Sequence, residues 1–160
     1  MTSPVIHRSH FADLEARDLY DILQLRSAVF VVEQDCVFLD LDGRDHEPDA
    51  VHLWVRDDGG LAAAARVLDP GTEQSSIGRI VTRTDARAAG VASALINEAI
   101  SVLEGLGSPR IHLGAQAHLA GWYQRFGFHV SGDEYDEDGI PHVPMVRHAD
   151  PSSSRSAGGR

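Results

Sequence analysis

At 160 residues the chain has the length of one ordinary domain, long enough to fold around its own core without disulfides or a structural metal. With 42% hydrophobic, 24% charged and 6% aromatic residues it is globular in composition, and a formal net charge of −10 excludes the basic footprint of a general nucleic-acid binder. A single cysteine, Cys36, excludes an internal disulfide framework and any multi-cysteine zinc site. No apolar run approaches the ~20 residues that span a bilayer, and residues 1–10 lack the apolar stretch of a secretory signal. The expectation is therefore a cytoplasmic protein that engages neither membrane nor nucleic acid.

Leu19, Ile22, Leu23, Leu25, Val29 and Val32 recur at helical spacing and predict a helix over 19–32, with Asp13 as an upstream cap. Residues 40–48 are rich in turn formers and read as a loop. Three strands are predicted next, at 51–56, 61–68 and 76–82, the first two joined by Asp57-Asp58-Gly59-Gly60, a hairpin signal. Val91, Leu95, Ala99, Val102 and Leu106, widened by Ile96, Ile100 and Leu103, write a second helix from Gly90 to Gly105 or Gly107. A short strand at 110–114, a short helix at 118–126 ended by Gly127 and a strand at 128–130 follow. A last strand at 143–147 comes after an acidic turn at 136–139. With a leading strand the order is β-α-β-β-β-α-β-α-β-β, a mixed α/β domain over residues 1–149. The Ser- and Gly-rich tail, 150–160, has nothing to bury and is expected to be disordered.

The chain holds neither G-x-x-x-x-G-K-[ST] nor G-x-G-x-x-G, which excludes the nucleotide-triphosphatase loop and the dinucleotide fingerprint. Between the strand at 76–82 and the second helix lies Arg87-Ala88-Ala89-Gly90-Val91-Ala92. Its small residues leave the amides of a helix N-terminus open to an anion, although the same residues also suit a plain turn. Arg79, Arg83 and Arg87 recur every four residues, either as solvated surface charge or as anion-binding groups beside that loop. Tyr123 reads as a packing aromatic beside Phe126 and Phe128 or as a polar ring at a site. Glu33 reads as a surface cap or a partly buried base, and His142 as a stacked loop residue or a polar group lining an acceptor cleft. No metal is expected from the nine histidines, because His46-Glu47 runs into Pro48 rather than an H-E-x-x-H helix. Glu134-x-Asp136-x-Asp138-Gly139 imitates the start of a calcium loop but carries Met145 at its twelfth position. Cys36 reads as a small buried hydrophobe.

Arg87-x-x-Gly90-x-Ala92 resembles the Q/R-x-x-G-x-G/A signature of the GNAT superfamily of acyl-coenzyme A-dependent acyltransferases, departing at Ala88, where many relatives have glycine. The segments 25–34, Asp40-x-Asp42-Gly43-x-Asp45, His52-Leu53-Trp54, 78–82, 115–119, Tyr123-x-x-Phe126-Gly127-Phe128 and 138–145 follow in order. Together they resemble the ElaA-like subgroup of that superfamily over roughly residues 5–147.

The resemblance implies a GNAT-like acyl-CoA N-acyltransferase fold and transfer of an acetyl group from acetyl-CoA to a primary amine, borne by a small molecule or a protein. It implies coenzyme A lying along the strand at 78–82, beside Ile80, Val81, Thr82, Gln116 and Tyr123. The pyrophosphate would rest on Arg87, Ala88, Ala89, Gly90, Val91 and Ala92. The amine would attack the thioester directly, a backbone N–H near Val81 would polarise the carbonyl, and Tyr123 would protonate the thiolate. Glu33 is the candidate base and, with His142, the candidate acceptor-side contact. Two other readings stay open: a noncatalytic acyl-CoA-binding module, and a small metal-dependent α/β enzyme, which nothing in the spacing recommends. Acceptor identity and oligomeric state are not legible in the sequence.

Overall fold

A computed structural model describes residues 4–87 and 89–149. The elements run β1 (Ile6–His10), α1 (Ala16–Arg26), β2 (Val51–Asp57), β3 (Gly60–Leu68), β4 (Ser76–Thr82), α2 (Val91–Gly105), β5 (Arg110–Gln116), α3 (Ala120–Gln124), β6 (His129–Val130), β7 (Tyr135–Glu137) and β8 (Ile140–His148). One sheet contains all the strands, in the order β1-β2-β3-β4-β5-β8-β6, with β7 added on β8. The β4–β5 pair is parallel and every other pair antiparallel.

Helices cover both faces of the sheet. Leu95, Ile96, Ala99 and Leu103 of α2 are each 0% exposed and pack with Leu53, Val55, Val67, Ile77 and Ile111. On the opposite face Ile22, Leu25 and Val29 pack on Trp54, Leu61, Ala64 and Val81. Strand β3 lies between the two layers, and its run Ala62-Ala63-Ala64-Ala65 is almost fully buried. Side chains on a strand alternate between faces, so small residues there let helices approach from both sides.

The structure departs from the sequence expectations in several places: the strand expected at 110–114 runs on to Gln116, and the helix expected at 118–126 is a tight turn at Ala117–Leu119 followed by α3. The first helix begins at Ala16 rather than 19, and its preceding residue is Glu15; Asp13 sits in a tight turn and caps nothing. Its last stretch, Ser27–Glu33, is wound as a π-helix, with the amides of Gln34 and Cys36 reaching back five residues to the carbonyls of Val29 and Val31. The acidic segment at 136–139 is not all turn. Its first half belongs to β7, and only Asp138 and Gly139, both with positive φ, form the two-residue turn into β8. Strand β8 accordingly starts at Ile140, and the order gains one strand. The tail at 150–160 and Ala88 lie outside the described residues.

Two features open the sheet. Strands β4 and β5 are in register only at Ser76 and His112, where the His112 amide donates to the Ser75 carbonyl at 2.8 Å. Beyond that point they part. In addition, Ala65 of β3 faces two residues of β4, Arg79 and Ile80, and Arg79 adopts φ +50°. This bulge leaves an extra residue out of the ladder and bends β4 where it leaves β5.

Candidate functional site

Between the parted strands lies a cleft of about 680 Å³. Its walls are β4 from Ile77 to Thr82, the β5 end at Gly114 and Gln116, the π-helical turn, α3 and the β7–β8 hairpin. Of the residues singled out from the sequence, Glu33, Ile80, Val81, Thr82, Arg87, Ala92, Gln116, Tyr123 and His142 all line it. Val91 instead points into the core at 8% exposure, and Ala89 and Gly90 are exposed at the lip. Ala88 falls outside the described residues.

At one end stands the N-terminus of α2. Gly90 takes the left-handed conformation, φ +77°, that starts the helix, a geometry L side chains rarely adopt. A Cβ built there, or at Gly78, would meet nothing within 4 Å, so no described residue covers the backbone at either place. The first turn of any helix leaves its amides without intrahelical partners. The first turn of α2 holds no acidic residue to satisfy them. Arg87 is half-exposed beside this turn, its Nε donating to the Thr82 carbonyl at 3.2 Å. Its Nη2 donates to the Glu33 carboxylate, which also accepts from the Thr84 hydroxyl at 3.0 Å. Arg87 first, then Thr84, holds the Glu33 carboxyl below its ordinary pKa.

Tyr123 both packs against its neighbours and lines the cleft. Its ring is 7% exposed and packs edge-on to Trp122 and Phe128, at 4.9 and 6.3 Å between centroids. Its hydroxyl has no hydrogen-bond partner among the described residues, and the side chain lines the cleft. Burial pushes its pKa up to about 12, so the phenol keeps its proton at neutral pH.

The far end is bounded by the segment after the π-helical turn and by the β7–β8 hairpin. The two are tied together where the Cys36 thiol donates to the Asp138 carbonyl at 3.0 Å. His142, 8% exposed and opposite Gln116 in register, has Nδ1 against the Ile140 carbonyl at 2.8 Å and Nε2 against Glu137 at 3.0 Å. Both ring nitrogens thus have oxygen partners within the hairpin. Gly114 has a local purpose here: a Cβ on it would fall 2.5 Å from the Tyr135 hydroxyl oxygen, which lies over it.

Sequence reasoning missed what holds the β4 bulge. Arg79 pairs with Asp40 at 2.8 Å, and its guanidinium sits 5.9 Å from the Phe38 ring, another cleft residue. Asp40 also accepts from the Arg26 Nε at 2.9 Å, and Arg26 and Arg66 both reach Asp45. Arg26, Asp40, Asp45 and Arg66 are all buried. The signal was present as Asp40-x-Asp42-Gly43-x-Asp45, but three carboxylates in a loop do not reveal which distant arginines fold onto them.

The described residues include no helix long and apolar enough to cross a membrane. The comparisons with known proteins agree with the geometry. A family model described as "Acetyltransferase (GNAT) domain" matches residues 38–149. Protein ElaA of Escherichia coli is 41% identical over 143 residues, covering 86% of this chain and 92% of ElaA. The crystal structure of an acyl-CoA N-acyltransferase from Pseudomonas aeruginosa matches with a TM-score of 0.84 at 42% identity, covering 91% of this chain and 99% of that one. The crystal structure of E. coli ElaA matches with a TM-score of 0.85 at 36% identity, covering 91% and 100%. With more than half of its length matched by the family model and its fold shared with these relatives, the chain belongs to the GNAT acetyltransferases, in the ElaA-like group.

Proposed function

We propose that the protein transfers an acetyl group from acetyl-CoA to a primary amine that attacks directly. One observation carries this reading: a single cleft joins a helix N-terminus and its adjacent arginine to the hydroxyl of a buried tyrosine, which has no hydrogen-bond partner among the described residues. The first suits a pyrophosphate. The second suits a group that appears only with substrate.

The residues present fit the cofactor. Arg87 and the 89–92 stretch, with Ala88 between them, would hold its pyrophosphate, while Ile80, Val81, Thr82 and Gln116 would flank its extended arm. The open edge of β4 offers backbone groups to such an arm as to an added strand. Acetyl-CoA supplies the activated acyl group. The chain holds the two reactants together, which is the largest part of the acceleration available to it. A backbone N–H near Val81 polarises the carbonyl at the β4 bulge. Tyr123 donates its proton where thiolate charge develops, and a phenol that titrates near 12 stays loaded throughout the neutral range. Glu33 and His142 face the acceptor. While Arg87 and Thr84 hold it, the Glu33 carboxylate is a weak proton acceptor; a phosphate that draws Arg87 away would restore its basicity.

The test is calorimetry with coenzyme A and acetyl-CoA, followed by acetyl transfer to a panel of amines. Saturable cofactor binding and turnover with at least one amine are expected. Absence of binding at millimolar cofactor overturns the reading, whereas binding without transfer to any amine leaves a noncatalytic acyl-CoA-binding module.

A further inference from the structure

All fourteen basic residues of this chain are arginine, and they are spread unevenly among its twenty-four carboxylates. Asp18 and Asp21 of α1 pair with Arg56, Asp40, Asp42, Asp45 and Glu47 of the 40–48 loop with Arg26, Arg66, Arg79 and Arg44, and Asp57 at the end of β2 with Arg83. The β7–β8 hairpin does not. Asp133, Glu134, Asp136, Glu137 and Asp138 fall within one exposed run, and among the described residues none of them pairs with an arginine. Glu137 meets only His142, and Asp136 accepts the Gly139 amide at 3.1 Å.

This charge borders the cleft. Glu137 and Asp138 line it. Burial, then Asp138, Asp35, Asp136 and Glu137, push up the pKa of the Cys36 thiol in the same wall, so the field there is negative. A second observation points to a ligand in the same space, because the Tyr123 hydroxyl, on a side chain 7% exposed, lines this cleft without a partner among the described residues. The cleft thus has apolar walls and two charged borders, Arg87 with Glu33 on one and the hairpin carboxylates on another.

An amine must lose its proton before it can attack a thioester, so the nitrogen that reacts is not the cation this field recognises. The positive charge has to sit elsewhere on the acceptor. Resting on the acyl-transfer reading above, we infer that the acceptor is a small amine with a second cationic group, an α,ω-diamine or longer polyamine. Its distal ammonium docks on the hairpin carboxylates Glu137 and Asp138, while its reacting nitrogen lies toward Tyr123. An amino acid with a free carboxylate is repelled at the same place.

The experiment titrates the coenzyme A-loaded protein with 1,4-diaminobutane, 1-aminobutane and a lysine-rich peptide, by calorimetry, and repeats the series with a Glu134→Gln/Glu137→Gln/Asp138→Asn variant. These replacements keep shape, and Asn suits the positive φ of Asp138. The diamine is expected to bind at least about tenfold tighter than the monoamine at about 20 mM salt, with most of that advantage lost at about 300 mM or in the variant. Equal, salt-insensitive binding of the two amines overturns the inference whether or not acetyl transfer is seen. The peptide binding tighter than the diamine overturns the small-molecule acceptor. Selective diamine binding with no transfer from acetyl-CoA to any amine overturns the acyltransferase reading and leaves the charge selectivity standing.

Discussion

Tyr123 and Glu33 carry the sharpest consequences of single side chains. Tyr123→Phe removes the unpartnered hydroxyl and leaves the ring packing on Trp122 and Phe128 intact. If the phenol protonates the thiolate, the single-turnover rate falls by about ten- to a thousand-fold while coenzyme A affinity holds. A rate unchanged at every pH would remove Tyr123 from the chemistry. Glu33→Gln tests the pairing with Arg87, since Glu33 and a cofactor phosphate would compete for the same guanidinium. Calorimetry should show coenzyme A binding a few-fold tighter in the variant, an effect the size of an exposed ion pair. Its single-turnover rate should fall, and a rise would exclude Glu33 from the acceptor side. Both residues stood out in the sequence for different reasons. The motif around 123–128 marked the tyrosine, but no pattern in 25–34 says that Glu33 meets Arg87, because that contact spans 54 positions and depends on the π-helical turn.

At the level of elements, the periodic ones were legible and the irregular ones were not. Helix α2 and strands β2 to β4 lie within a residue or two of where their hydrophobic spacing puts them, because each buries a defined face. The π-helical winding of 27–33, the β4 bulge and the short strand β7 were hidden for a shared physical cause. They depend on what packs against them, and an apolar run such as Ala28-Val29-Phe30-Val31-Val32 does not distinguish one helical winding from another. The irregular elements nevertheless make the cleft: the bulge parts β4 from β5, and the hairpin β7–β8 closes the far end. The start of α2 is the testable joint between the two kinds. Gly90→Asp adds strain at φ +77° and negative charge where a phosphate would sit, but no clash, since nothing lies within 4 Å of the new Cβ. Coenzyme A affinity should drop at least about tenfold while thermal stability falls by only about 1–2 kcal/mol. Unaltered cofactor affinity in a folded variant would move the phosphate site elsewhere.

Across the whole molecule, a sheet that opens in its middle needs something to keep the halves aligned, and here the apolar layers share that task with buried charge. Arg26, Arg66 and Arg79 converge on Asp40, Asp42 and Asp45, tying α1, β3 and β4 to the 40–48 loop. Burial works against the charged form of Asp42 and Asp45, yet hydrogen bonds from Arg66 to the first and from Arg26 to the second prevail, and both carboxyls are held below their ordinary 3.8. The sign of the pH dependence follows. In the unfolded chain these groups return to ordinary values, so between the folded and unfolded pKa the unfolded state binds more protons. Their stabilisation is complete above about pH 5 and is lost as pH falls through about 4 toward the depressed folded values. Asp42→Asn isolates one member. The Asp42 side chain is 29% exposed and shares Arg66 with Asp45, so the variant should lose only about 1–2 kcal/mol at pH 7. The thermal midpoints of variant and parent, followed from pH 7 to pH 3, should converge as acid removes from the parent the charge the variant already lacks. Parallel curves with a constant offset would show that Asp42 acts through packing alone, and that the acid sensitivity of this fold arises at other carboxylates.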